Sequence, residues 1–173
     1  MSEPGLGLLL DRVTISDVVY AYATGLDRRD WELFRSIFTD PIEMEFSSVG
    51  IRSGTYSADD WVRSAKRLFD GFSATQHTST NHVHQIRGDE ATCVSNMQAE
   101  HFVRREPGDG LAEGDERWTI GGYYVNELVR QPDGWKLAKV TLNATWRFGN
   151  PEVPRIALER GRAESPRRDE TDR

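Results

Sequence analysis

Cysteine is nearly absent: Cys93 is the single one in 173 residues. An intramolecular disulfide and a four-cysteine metal site are therefore excluded. Long apolar runs are lacking too, and none approaches the roughly 20 residues that cross a bilayer. The apolar piece within Met1–Leu10 has no basic stretch before it, so it does not read as a secretory leader. A cytoplasmic protein without membrane partners is expected. Positive charge is in deficit, with 22 Lys and Arg against 28 Asp and Glu and a net charge of -6. Nucleic-acid binding runs on clustered cations, so no nucleic-acid partner is expected. There is no GxGxxG, P-loop, GxSxG or HExxH, which leaves nucleotide, nucleophilic-serine and zinc-peptidase chemistry without a signature.

What the chain does have is aromatic bulk, with five Trp, five Tyr and seven Phe, in a length that suits one domain. Residues 1–12 read as a flexible lead-in and 13–150 as the folded domain. Residues 151–173 read as a short C-terminal helix (Val153–Arg160) and a charged tail, since ten of the last fifteen residues are charged. Thr14-Ile-Ser-Asp17 fits a capping box. It opens a helix to about Asp27, with Ile15, Val18, Val19, Tyr22, Ala23 and Leu26 on one stripe. Asp30 caps a second helix to Phe38, which Asp40-Pro41 stops. Ile42–Phe46 alternates as a strand, and Ser57-Ala-Asp-Asp60 opens a third helix to about Phe69. Four long strands follow: Thr75–Arg87, Ala91–Arg105, Arg117–Arg130 and Trp135–Phe148. Turns fall at Gly88-Asp89 and Gln131-Pro-Asp-Gly134, and a Gly-rich acidic loop covers Pro107–Glu116. The fold class is α+β: a cone-shaped barrel in which three N-terminal helices pack on a curved, mostly antiparallel sheet.

Strict alternation assigns faces to the strands. His77 shares a face with Ser79, Asn81 and Val83. On the next strand the odd positions Cys93, Ser95, Met97, Ala99, His101 and Val103 are small or apolar, which marks the pocket side. His82 and His84 have the other parity. Such a pair can hold a metal, but outward polar residues on a half-exposed strand account for them better, and no metal is expected. Asp27 sits at the edge of the first helix's buried stripe and near that helix's C-terminus. A negative charge there is disfavoured by about 0.3–1 kcal/mol. It needs a compensating partner or a role; pairing with Arg28 or Arg29 and a functional carboxylate fit the pattern equally.

Three stretches carry a resemblance: Gly25-Leu-Asp27-Arg-Arg-Asp-Trp31-Glu-Leu-Phe34; Thr75-Gln-His77 with Thr80-Asn81 behind it; and Gly121-Gly-Tyr-Tyr124 through Asn126-Glu127 to Asp133-Gly-Trp-Lys136. Together they resemble the SnoaL-like branch of the nuclear transport factor two superfamily, the branch of scytalone dehydratase and hexachlorocyclohexane dehydrochlorinase, over about residues 10–150. In those enzymes an aspartate ending the first helix pairs with a histidine on the first long strand. The resemblance places Asp27 and His77 in these roles and puts His101 where the dehydratase has a second pocket histidine. The anchors depart from the pattern. Leu26 replaces a dehydratase tyrosine, Tyr22 replaces a dehydrochlorinase lysine, and Tyr123 and Val125 stand roughly where the dehydratase has a serine and an asparagine. Neither enzyme's own substrate is implied.

The expected activity is that of a cofactor-independent lyase or isomerase, dehydratase-like, acting on a small cyclic or polyketide-like molecule. His77 removes a proton beside a carbonyl or leaving group, Asp27 orients His77, and His101 and Tyr123 polarise the substrate. Tyr22, Tyr123, Trp31, Trp61 and Asn81 are the expected substrate contacts, with Phe46, Leu68, Trp118 and Trp146 as further wall candidates. Three alternatives stay open: a polyketide cyclase, an epoxide hydrolase with an Asp-Arg-Asp set to which Asp27 and Arg147 supply parts, and a non-catalytic ligand-binding or assembly module. A homo-oligomer, trimer or dimer, is expected because the open sheet face is apolar.

Overall fold

The computed structural model describes residues 3–104 and 116–164. Helices α1 (Glu3–Arg28) and α2 (Trp31–Ser36) lead into strands β1 (Phe38–Glu45) and β2 (Gly54–Tyr56) and helix α3 (Ala58–Phe69). Four long strands follow, β3 (Ala74–Arg87), β4 (Glu90–Phe102), β5 (Arg117–Gln131) and β6 (Gly134–Gly149), and α4 (Val153–Glu164) ends the described chain. One six-stranded sheet runs β2-β1-β6-β5-β4-β3. Only the β1–β6 pairing is parallel. The three N-terminal helices and the sheet share one core, and the open, curved sheet makes the expected α+β cone.

Local chemistry accounts for most boundaries. The Asp30 carboxylate accepts from the Leu33 N–H at 2.9 Å and caps α2. Ser57 caps α3 by accepting from the Asp60 N–H at 3.1 Å. The start of α1 corrects the sequence reading, because residues expected to form a loose lead-in before Thr14 are helical from Glu3 onward. Leu6, Leu8, Leu9 and Leu10 are good helix formers. Thr14 is no cap; its hydroxyl bonds back to the Leu10 carbonyl at 2.9 Å, the mid-helix habit of threonine. Asp11 anchors this half of the helix, accepting from Arg130 at 2.8 and 2.9 Å and from the Trp135 indole at 3.2 Å. At the far end of the chain, α4 continues to Glu164, beyond Arg160. The remainder of the expected tail, 165–173, and the loop segment 105–115 lie outside the described residues.

Gly25 sets where α1 meets α2. A Cβ there would stand 2.8 Å from the Phe34 Cβ and 3.1 Å from its backbone, so only glycine admits this approach. Phe34 is fully buried between Tyr22 and Phe38, and burying such a side chain stabilises by roughly 1.5–3 kcal/mol. A smaller cluster of Phe72, Val103, Val153 and Ala157 packs α4 against the end of the sheet.

Strand β3 does not alternate throughout. Thr80 pairs with Asn96 but Val83 pairs with Val94, so β3 carries one extra residue, a β-bulge. Asn81 sits in it at φ 56°, a left-handed conformation that asparagine tolerates better than most residues. Beyond the bulge the faces exchange. Val83, expected on the pocket side, is 59% exposed, and Asn81 is exposed as well. His82 and His84, expected outside, turn inward beneath α1.

Candidate active site

The last turn of α1 presents Asp27 to the first residues of β3. Its Oδ1 accepts from His77 Nδ1 at 2.7 Å and from the Thr75 hydroxyl at 3.0 Å. Its Oδ2 accepts from the His77 backbone N–H at 2.6 Å. Arg29 reinforces the seat, with Nη1 donating to the Thr75 hydroxyl at 2.9 Å and also to the Leu26 carbonyl. Arg29 holds φ 56° to do so, a strained backbone of the kind that persists only where surroundings fix it. Burial by itself would raise the Asp27 carboxyl. The His77 ring and N–H and the Thr75 hydroxyl outweigh that and hold it below the usual carboxylate range. Asp27 is thus ionised at neutral pH and accepts the Nδ1–H of His77, so Nε2 is the ring nitrogen left to exchange a proton with a substrate. The His77 side chain is only 9% exposed.

His101 lies beside this pair, its ring 5.4 Å from that of His77 and edge-on to it. Phe72 and Trp118 enclose it at 4.9 and 5.1 Å. Burial, and then the proximity of His77, push its pKa down to about 3, so the ring is neutral. Nδ1 donates to the Trp118 carbonyl at 3.3 Å. With Nδ1–H so engaged, Nε2 of the neutral ring carries a lone pair and accepts.

Two spaces flank the pair. A narrow cavity of about 10 Å³, room for one water, is lined by Val19, Tyr22, His77, Ser79, Tyr124 and Asn126 among others. A wide cleft of about 570 Å³ opens beside Asp27, Arg29, Asp70, Phe72 and Thr75. Tyr22 lines the narrow cavity and not the wide cleft. Its ring packs tilted against that of Tyr124 at 5.7 Å, and burial raises both phenols, so both stay protonated.

The other expected contacts lie elsewhere. Tyr123 is on the outer sheet face and 38% exposed; the inward residues of β5 are Tyr124 and Asn126, paired with Ser95 and Cys93. Asn81 is exposed at the bulge. Trp31 packs edge-on to Phe34 and beneath the Lys66 ammonium, and Trp61 is core, against Phe46 and Tyr56. Trp146 occupies the space over Gly121, and Arg147 is exposed and bonded to the Ser48 carbonyl. Sequence reasoning missed Tyr124 and Asn126 although the small, apolar inward face of β4 fixes the inward frame of its neighbour.

An open α+β cone with a half-buried Asp–His pair at one end of its sheet is an architecture of the nuclear transport factor two type. Residues 8–141 match the model of the SnoaL-like domain, and the chain belongs to that family. It is similar to the terrestric acid biosynthesis cluster protein E of Penicillium crustosum, 30% identical over 159 residues, 87% of this chain and 96% of that protein. It is also similar to hexachlorocyclohexane dehydrochlorinase 1 of Sphingobium indicum, 25% identical over 147 residues, 84% of this chain and 88% of that enzyme. Among solved structures, the Kfla4162 protein of Kribbella flavida superposes with a TM-score of 0.75 at 34% identity, covering 87% of this chain and 98% of that one. Among the described residues, no helix is long and apolar enough to cross a membrane.

Proposed function

We propose that the protein is a lyase or isomerase, dehydratase-like, in which the Asp27–His77 pair is the general base for a small cyclic or polyketide-like substrate. The observation that carries this is the three-donor seat of Asp27, which ionises the carboxylate and aims the imidazole. His77 Nε2 takes a proton from a carbon next to a carbonyl. The C–H electron pair passes into the enolate and then into a new C=C bond as a β-hydroxyl departs, taking the proton from His77 Nε2 to leave as water and returning His77 to its starting form. Proton transfer of this kind contributes roughly 10²–10⁴-fold. Neutral His101 accepts a hydrogen bond from a substrate hydroxyl. The chemistry calls for no cofactor. The cleft beside Asp27 is the larger of the two spaces. The reading includes a cytoplasmic setting and self-association as a trimer or dimer through the outer sheet face, where Tyr123, Trp146 and Phe148 are exposed.

The test uses cyclic β-hydroxyketones, followed by enone absorbance, and cyclic ketones in D₂O, followed by NMR for exchange at the α-carbon. Exchange or elimination that Asp27→Asn and His77→Gln abolish supports the base. Turnover unchanged in both variants, or cyclic ligands that bind identically to wild type and variants without reacting, would move the protein to the non-catalytic reading. A second reading, epoxide hydrolysis, draws on Arg29, which lines the open cleft together with Asp27 and Asp70. It predicts diol formation from cyclic epoxides that Asp70→Asn abolishes.

A further inference from the structure

Deeper under α1, beyond the bulge, a second group of side chains converges that the Asp27–His77 pair does not use. His82, His84 and Cys93 each offer a ligand atom, and these atoms all lie within 4.8 Å of one another. They come from two neighbouring strands, with His84 directly opposite Cys93. The bulge at Asn81 creates the arrangement by turning both histidines inward.

Hydrogen bonding leaves one atom over. Ser16 Oγ lies 2.9 Å from His84 Nε2 and 3.0 Å from His82 Nδ1, and Ser79 Oγ lies 3.0 Å from His82 Nε2. In one consistent direction His84 Nε2–H donates to Ser16, the Ser16 hydroxyl donates to His82 Nδ1, and His82 Nε2–H donates to Ser79. His84 Nδ1 is then a buried lone pair, and it has no partner. A histidine whose far nitrogen is held by a hydroxyl while the near one is free has the tautomer and fixed ring of a metal ligand. Tyr20 stacks on the His82 ring at 4.7 Å and limits its rotation. Cys93 is completely buried beside them.

We propose that His82, His84 and Cys93 form a binding site for a zinc-class ion, in which His82 Nδ1 exchanges the Ser16 hydroxyl for the ion, Ser16 keeps the far nitrogen of His84, and water is the fourth ligand. The donor set, two imidazoles and a thiol, suits a borderline or soft ion and not calcium or magnesium. In a tetrahedral zinc centre, bonds of about 2.0–2.3 Å put the ligand atoms roughly 3.5 Å apart, so small side-chain rotations close the site. Burial keeps both imidazoles neutral, the form that binds metal. Burial also raises the Cys93 thiol to about 11, so the ion must displace that proton and affinity rises with pH. Arg12, the nearby cation that acts on His84, opposes binding.

The test strips the full chain with EDTA, desalts it, and titrates it with Zn²⁺ by calorimetry and with Co²⁺ by absorbance. One ion per chain, a thiolate-to-cobalt charge-transfer band, and a Tm that rises with Zn²⁺ are expected. Cys93→Ser should abolish the band, and His84→Gln should weaken Zn²⁺ binding at least tenfold. Failure to bind one ion per chain, cobalt bound without the thiolate band, or Zn²⁺ affinity unchanged in Cys93→Ser and His84→Gln would overturn the proposal. If Cys93→Ser fails to fold, the wild-type cobalt spectrum and the half-exposed His82→Gln variant, expected to weaken Zn²⁺ binding as His84→Gln does, still decide it. Asp27→Asn should bind Zn²⁺ like wild type, so this outcome is independent of the base.

Discussion

Replacing Asp27 by asparagine isolates the charge, because the two side chains have nearly the same shape. The structure supplies the magnitude. Oδ1 receives two donors and Oδ2 a third. The asparagine carbonyl can keep one side of this seat, but its NH₂ group then faces either the His77 backbone N–H or the Nδ1–H and Thr75 donors. A buried donor left without an acceptor costs about 1–3 kcal/mol; the Asp27 side chain is 20% exposed, which favours the lower half of that range. The folded carboxyl pKa is depressed from an unfolded value near 3.9. The stabilisation is therefore complete above about pH 4 and disappears as pH falls through the folded pKa. Urea unfolding followed by tryptophan fluorescence should show Asp27→Asn less stable than wild type by about 1–2 kcal/mol at pH 7. The two should converge as pH falls through the depressed folded pKa of Asp27. A stability difference that stays constant across that range would refute the reasoning, since it would then come from packing and not from an ionised acceptor. Turnover should fall further than stability does, by roughly 10²–10⁴-fold.

Three further outcomes follow from features already described. Gly25→Ala gains up to about 1 kcal/mol of helix propensity but meets the Phe34 backbone at 3.1 Å; overpacking of roughly 1–3 kcal/mol wins, and a variant more stable than wild type in urea would contradict the close approach. His101, with its folded pKa near 3 against about 6.5 unfolded, binds fewer protons when folded, so it weakens the fold as pH drops below about 6.5. His101→Phe should lose less stability than wild type between pH 7 and pH 4, and equal losses would show that the ring is not held neutral. Cys93 is fully buried with its thiol raised to about 11, so a thiol reagent at pH 8 should label it only in denaturant; prompt labelling of the native protein would show that the site is open.

The helix-end aspartate and the strand-start histidine were legible in the sequence because each is fixed by local signals. Asp27 ends an apolar stripe and His77 opens a strand, and the family resemblance joins them. The aromatic contacts were less legible for two physical reasons. An alternating pattern cannot reveal where its own phase slips, and the extra residue at Asn81 moved Asn81 and Val83 outward and His82 and His84 inward. The run Gly121-Gly-Tyr-Tyr124 contains adjacent tyrosines, and a choice between them depends on register with β4, where Ser95 selects Tyr124. Trp31 and Trp61 turned out to be core because helix faces were read one at a time, without the partners α2 and α3 find in each other and in β1. The early start of α1 was missed because a plausible cap at Thr14 masked leucines that continue the helix.

The bulge at Asn81 also affects how this protein can change by descent. A substitution alters one side chain, and most of β3 could accept several without altering what the helices rest on. Deleting the extra residue, Asn81, would restore simple alternation and leave every later side chain facing as it does now, because Val83 would still pair with Val94 and His84 with Cys93. His84 and Ile86 would stay in the interior, opposite Cys93 and Ala91, and Val83 and Gln85 would stay outside it. Asp27, Thr75 and His77, upstream of the break, would keep their geometry. Members of this family with a one-residue gap at this point should therefore share both the acid–histidine pair and the facing of the side chains beneath α1.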